Sequence, residues 1–70
     1  MSFQAYIDNI KAKTGKTPEE LRDAAKKAGV YRRDMTASEL VKFLKEEFDI
    51  GHGHSMAIWK VFKDNDWVDK

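Results

Sequence analysis

The segment Thr17-Pro18-Glu19-Glu20 can open a helix and little else. The Thr17 hydroxyl can accept from the amide three residues on, the Glu20 carboxylate can reach back to the Thr17 amide, and Pro18 needs no hydrogen bond at the first helical position. The same reciprocal cap recurs in Thr36-Ala37-Ser38-Glu39. Two such starts, nineteen residues apart in a chain of 70, leave little room for anything but short helices. Glycines supply the stops. Gly15 ends whatever precedes the first box, and Gly29 ends the helix that box begins, with Val30 placed for a Schellman-type contact.

Periodicity fills in the segments between these signals. Phe3, Tyr6, Ile7 and Ile10 form one stripe of a first amphipathic helix, with Ser2 as its expected N-cap. Leu21, Ala24, Ala25 and Ala28 form a small-residue face on the second, which suits close approach to a bulkier neighbour. Leu40, Phe43, Leu44 and Phe48 share a face of the third, with Lys42, Lys45 and Glu46 outward, and Asp49-Ile50-Gly51 stops it. A fourth helix is expected from near Ser55, carrying Met56, Ala57, Ile58, Trp59, Val61 and Phe62. These cover more than one face, so the fourth helix is expected at the centre, with Trp59 half exposed. An acidic tail follows from about residue 64, in which Trp67 is placed to fold back over the core. Its Asp64-Asn65-Asp66 run lacks the glycine and the twelfth-position glutamate of a calcium loop.

Ordering 70 residues costs roughly 100 kcal/mol. Four Phe, two Trp and two Tyr make a sufficient core feasible if most of them share it. Without cysteine, disulfide scaffolds, thiolate zinc sites and cysteine catalysis are excluded. No basic leader precedes an apolar run at the N-terminus and no apolar stretch reaches 18 residues, so the expectation is a cytoplasmic protein with neither signal peptide nor membrane span. The net charge of +1 conceals an imbalance, because residues 1–33 hold eight basic side chains against four acidic and residues 34–70 hold five against eight. The basic half, with Arg32 and Arg33 at its end, offers a face for an acidic partner, although solvated helix faces account for it as well.

One segment exceeds what folding requires. In Gly51-His52-Gly53-His54-Ser55 the first glycine is accounted for as a left-handed helix stop, but the second is not. Paired glycines before a helix let successive amides converge at the positive end of its dipole, with the Ser55 hydroxyl and two imidazoles beside them. An anion or a partner's carboxylate suits such a place. Metal binding by His52 and His54 is disfavoured, since an i, i+2 pair with no third histidine or cysteine is not a recurrent zinc spacing. Catalysis by a histidine is disfavoured too, for want of a readable nucleophile or triad. A structural reading stands beside these, in which the glycines only turn the chain and the histidines cap or pack on Trp59.

The pattern Ile50-Gly51-His52-Gly53 followed by Ala57 resembles the hairpin of helix-hairpin-helix DNA-binding domains, although an apolar residue normally sits where His52 does. That resemblance implies phosphate-backbone contact through the hairpin amides. The span from Glu20 to Leu44 is more loosely similar to the helix-linker-helix of SAP DNA-binding modules. Over most of the chain, to about residue 62, Lys13-Thr14-Gly15-Lys16-Thr17-Pro18-Glu19-Glu20 together with Gly51-His52-Gly53-His54-Ser55-Met56-Ala57 resembles a small bacterial family of unknown function. The resemblance implies a helical domain in bacterial cytoplasm and no established activity. Thr14-Gly15-Lys16-Thr17 is not a nucleotide-binding loop, because the first glycine of that motif would fall on Ile10, inside a helix.

The expectation is therefore an all-α single domain over residues 1–70, four short helices packed orthogonally. Its expected core is Phe3, Tyr6, Ile7, Ile10, Leu21, Ala25, Leu40, Phe43, Leu44, Phe48, Ile58 and Phe62. Its expected role is a non-enzymatic, monomeric binding or protein-interaction module without metal or cofactor. The candidate site is Gly51, His52, Gly53, His54 and Ser55, with Trp59, Arg32 and Arg33 facing the partner. The alternative is sequence-nonspecific nucleic-acid binding through the same amides.

Overall fold

The computed structural model describes residues 3–69, apart from the side chain of Phe3, so the expected Ser2 cap and the Phe3 core position lie outside the described residues. Four helices make up the fold among these residues: α1 (Phe3–Thr14), α2 (Pro18–Lys27), α3 (Ala37–Phe48) and α4 (His52–Asp64). No strand occurs among them, and none of the helices is long and apolar enough to cross a membrane.

Both capping boxes form. The Thr17 amide donates to Glu20 Oε1 at 2.9 Å and the Glu20 amide donates back to Thr17 Oγ1 at 3.3 Å. Thr36 and Glu39 repeat the exchange at 3.0 and 3.3 Å. Donors facing these carboxylates hold both below the ordinary value of 4.5: for Glu20 the Thr17 amide and then its hydroxyl, for Glu39 the Arg32 guanidinium and then the Thr36 amide. A carboxyl whose folded pKa is depressed stabilises the fold fully above the unfolded value, and that contribution is lost as pH falls through the folded one. The melting midpoint is therefore expected to fall once the pH drops below 4.5. Replacing both by glutamine (Glu20→Gln, Glu39→Gln) should flatten that decline. Equal acid slopes in the two proteins would place the acid-labile element elsewhere.

The expected stop of α2 is also present. Gly29, at φ 77°, sends its amide to Lys26 while the Val30 amide reaches Ala25, the paired bonds of a Schellman motif. The stop of α3 is corrected. Asp49, not Gly51, takes the left-handed conformation at φ 54°, while Gly51 is extended at φ −67°, ψ 166°. Aspartate tolerates that region better than most residues. Turning two residues early leaves Ile50 free to enter the core, where it is 2% exposed.

Helix α4 packs against all three others, most extensively α3, and this explains why its apolar residues encircle it. Ile58 and Phe62 are fully buried, and Trp59 is only 7% exposed rather than half exposed, because three helices pack around α4 and leave to solvent only the side that carries Gly53, Met56, Lys60 and Lys63. Ile10, Leu21, Ala25, Leu40, Phe43 and Leu44 join them as expected. Ile7 and Phe48 are only partly buried against this cluster, and Tyr6 is half-buried too. The core instead gains three residues from outside the helices: Met35, Ile50 and Val68.

Val68 belongs to a C-terminal segment that is built into the fold. After α4, Asp66 turns through φ 57°, its amide donates to Lys63, and the Trp67 amide donates to Phe62. This is a second Schellman motif, complete with its apolar contact: the Trp67 and Phe62 ring centroids lie 5.2 Å apart. The Arg22 guanidinium covers the Trp67 ring at 4.3 Å, and the Tyr31 hydroxyl donates to the Trp67 carbonyl.

Candidate functional site

The Gly-His-Gly-His segment is the first turn of α4 rather than a turn before it. Helix α4 begins at His52, three residues ahead of Ser55, because nothing in the backbone prevents it: glycine is an accepted N-cap, and the Ser55 amide closes the first helical bond onto the Gly51 carbonyl at 2.9 Å. Ser55 is therefore one turn inside. It is fully buried, and its hydroxyl donates to the Ile50 carbonyl at 3.4 Å, so it caps nothing and faces no ligand.

This start is uncapped by any side chain, and the amides of His52, Gly53 and His54 find no acceptor among the described residues. Gly51, His52 and Gly53 are exposed. Gly53 sits in ordinary helical backbone, and a Cβ added there would meet nothing within 4 Å. Gly53→Ala is accordingly expected to stabilise the domain by roughly 0.5 kcal/mol through reduced chain entropy, read from the urea midpoint. Destabilisation would show that the fold itself requires the glycine.

The two imidazoles diverge. His54 is half-buried on the α1 side, its ring edge-on to Tyr6 at 4.8 Å between centroids, and not on Trp59. There it borders a small cleft of about 110 Å³ with Asn9, Lys13 and Gly51. His52 lies on the α3 side. The pair therefore presents no joint chelate, and no group of three or more His, Asp or Glu among the described residues is arranged to hold a metal.

On the α3 side lies the larger feature, a groove of about 630 Å³ between α3 and α4. Its apolar lining is Ala37, Val41, Ile50 and Met56; its cationic lining is Lys42 and Lys45, and the His52 imidazole and Ser38 complete it. Met56, at 38%, is the exposed large hydrophobic side chain among the described residues. No acidic residue lines this groove. The carboxylates nearest its lysines, Glu46 and Asp49, stand one turn further along at 4.0 and 3.8 Å from them, and all four groups are well exposed. Such pairs are worth little and exchange readily.

Of the expected site, the structure brings His52 to this groove, sets Gly51 and Gly53 exposed beside it, turns His54 to the opposite side and buries Ser55. Of the three expected partner-facing residues, one is buried, and the two arginines are exposed and hold intramolecular ion pairs. Trp59 is in the core. Arg32 reaches Glu39 at 2.6 Å and Asp34 at 3.2 Å. Arg33 clasps the C-terminal segment through the Asp66 carbonyl at 2.9 Å and the Asp69 carboxylate at 3.1 Å. Val41, Lys42, Lys45 and Met56 were not among the expected site residues. The surplus of apolar residues on α4, with Met56 on a different side from Ile58 and Phe62, was the one signal that pointed to them.

The model of a family described as Domain of unknown function (DUF4287) matches residues 2–64. No curated protein and no solved structure matches. The chain belongs to that family, in keeping with the resemblance read from its motifs.

Proposed function

We propose, with that membership as the premise, that this domain is a protein-interaction module whose working surface is the α3–α4 groove beside the first turn of α4. One observation carries the reading: the groove sets the exposed Met56 beside the half-buried Val41, over Ile50, with Lys42 and Lys45 and no carboxylate in its lining. An exposed methionine beside a concave apolar lining is a place where a partner's apolar side chain can be received. Methionine suits the task, since its flexible thioether adapts to different partners.

Peptides selected from a random library for binding the intact domain provide the test. They are expected to shift the amide resonances of Val41, Lys45, His52 and Met56. Met56→Glu should weaken them about tenfold or more, the order of losing one buried apolar side chain, without changing the circular dichroism spectrum. Selected peptides that shift other residues and tolerate Met56→Glu would sink the reading. The uncapped amides of α4 suggest a nucleic-acid phosphate as the competing ligand, and the same spectra decide it. Duplex DNA that shifts Gly51–His54, with log affinity falling against log salt by about 0.9 per phosphate contacted, would replace the protein partner.

A further inference from the structure

We infer that the segment accepted by this groove is a short acidic amphipathic helix of a partner protein, an inference that rests on the reading just given. Length comes first. The α3 residues lining the groove run from Ala37 to Lys45, a stretch of nine residues whose ends lie about 12 Å apart along the helix, two turns and a little more. A helix presenting apolar side chains at i, i+4 and i+7 spans about 10.5 Å, which matches this wall. An extended segment suits it poorly. No strand occurs among the described residues to pair with one, so its backbone N–H and C=O groups would lie unpaired against Val41, Ile50 and Met56. A helix satisfies those groups internally.

Charge selects the sign. Lys42, Lys45 and the positive end of the α4 dipole, with the His52 imidazole beside it, surround the apolar lining, and the competing carboxylates are exposed and loosely held. The opposite side of α3 is the reverse. A second groove of about 390 Å³, lined by Val30 and Phe43, carries Glu39, Glu46 and Glu47, with Lys42 at the ridge between the two. A basic helix is drawn to that side and away from the first, so the two faces of α3 discriminate partners by sign.

Two alanine-based helical peptides of about four turns test this, each with leucine at i, i+4 and i+7. One carries glutamates along the flanks of the leucine stripe; its twin carries lysines there. The acidic peptide should shift Val41, Lys45, His52 and Met56 and bind about tenfold more tightly than the twin at low salt. Lys45→Glu should narrow or invert that ratio. Equal binding of both peptides in the groove, or preference for the basic one, overturns the acidic assignment and leaves the interaction surface standing. The same holds if neither peptide binds while library-selected peptides still shift the groove. If neither binds and the library also misses the groove, both readings fall. Concentration-dependent shifts of the same residues without peptide would assign the groove to a second copy of this chain and overturn the inference.

Discussion

Phe62→Ala is expected to leave the domain largely unfolded at room temperature. Phe62 is fully buried on the helix that all three others contact, with the Tyr31 ring centroid at 6.2 Å on one side and that of Trp67 at 5.2 Å on another. Removing a buried phenyl ring costs about 3–5 kcal/mol, because the lost transfer energy adds to a cavity the neighbours only partly close. A core of this size seldom supplies more than about 3–5 kcal/mol of net stability. The deletion thus consumes most of what holds the chain folded. Collapse of the neighbours does little to soften the effect, since both rings are tied in place: the Tyr31 hydroxyl to the Trp67 carbonyl, and Trp67 beneath Arg22. Thermal unfolding followed by circular dichroism decides the matter. A cooperative transition lowered by less than about 4–8 °C, the equivalent of 1 kcal/mol in so small a domain, would show that Phe62 is dispensable. Phe62→Leu, which keeps most of the volume, should retain the fold.

The elements legible in the sequence were those whose signal is local. Each capping box needs only four consecutive residues, so Thr17 and Thr36 mark the starts of α2 and α3 to the residue. The Gly29–Val30 stop is equally local. The start of α4 was misplaced because residue type and position disagree there. Ser55 has the chemistry of a cap but lies inside the helix, while the real cap, Gly51, has no side chain to announce itself. Met35, Ile50 and Val68 were missed for a different reason. A single apolar residue in a linker has no periodicity, and only the assembled fold shows that the helices alone do not close the core. Arg33 illustrates the limit for charges, since its acceptors at Asp66 and Asp69 lie 33 and 36 residues away and no local pattern couples them. The groove shares that limit. His52 was singled out for its neighbours in the chain, but Val41 and Lys45 reach it only through the packing of α3 on α4.

Ending the chain after Asp64, where the family match also ends, is expected to remove about 3 kcal/mol or more of stability. A solvated acidic tail would predict almost no loss, or a slight gain from relieved repulsion. The contacts say otherwise. Val68 is 3% exposed, and burial of one such side chain is worth about 1.5–3 kcal/mol. The Trp67 ring adds its contact with Phe62 and the cover supplied by Arg22. Without residue 66 and beyond, the Lys63 and Phe62 carbonyls lose the donors that close α4, and the Tyr31 hydroxyl loses its acceptor at half-buried depth. Arg33 loses both ends of its clasp, although its exposure makes that the smallest part of the effect. Two further variants separate these contributions. Trp67→Ala should reproduce a large share of the loss, while Asp69→Asn, which removes a charge and no burial, should barely move the urea midpoint. If the shortened chain unfolds at the same urea concentration as the full one, Val68 and Trp67 are ornaments on a core that closes without them. If it unfolds earlier by the amount expected, the cooperative unit runs past the matched region, and any excised version of this domain must carry residues 65–69 to fold as the intact chain does.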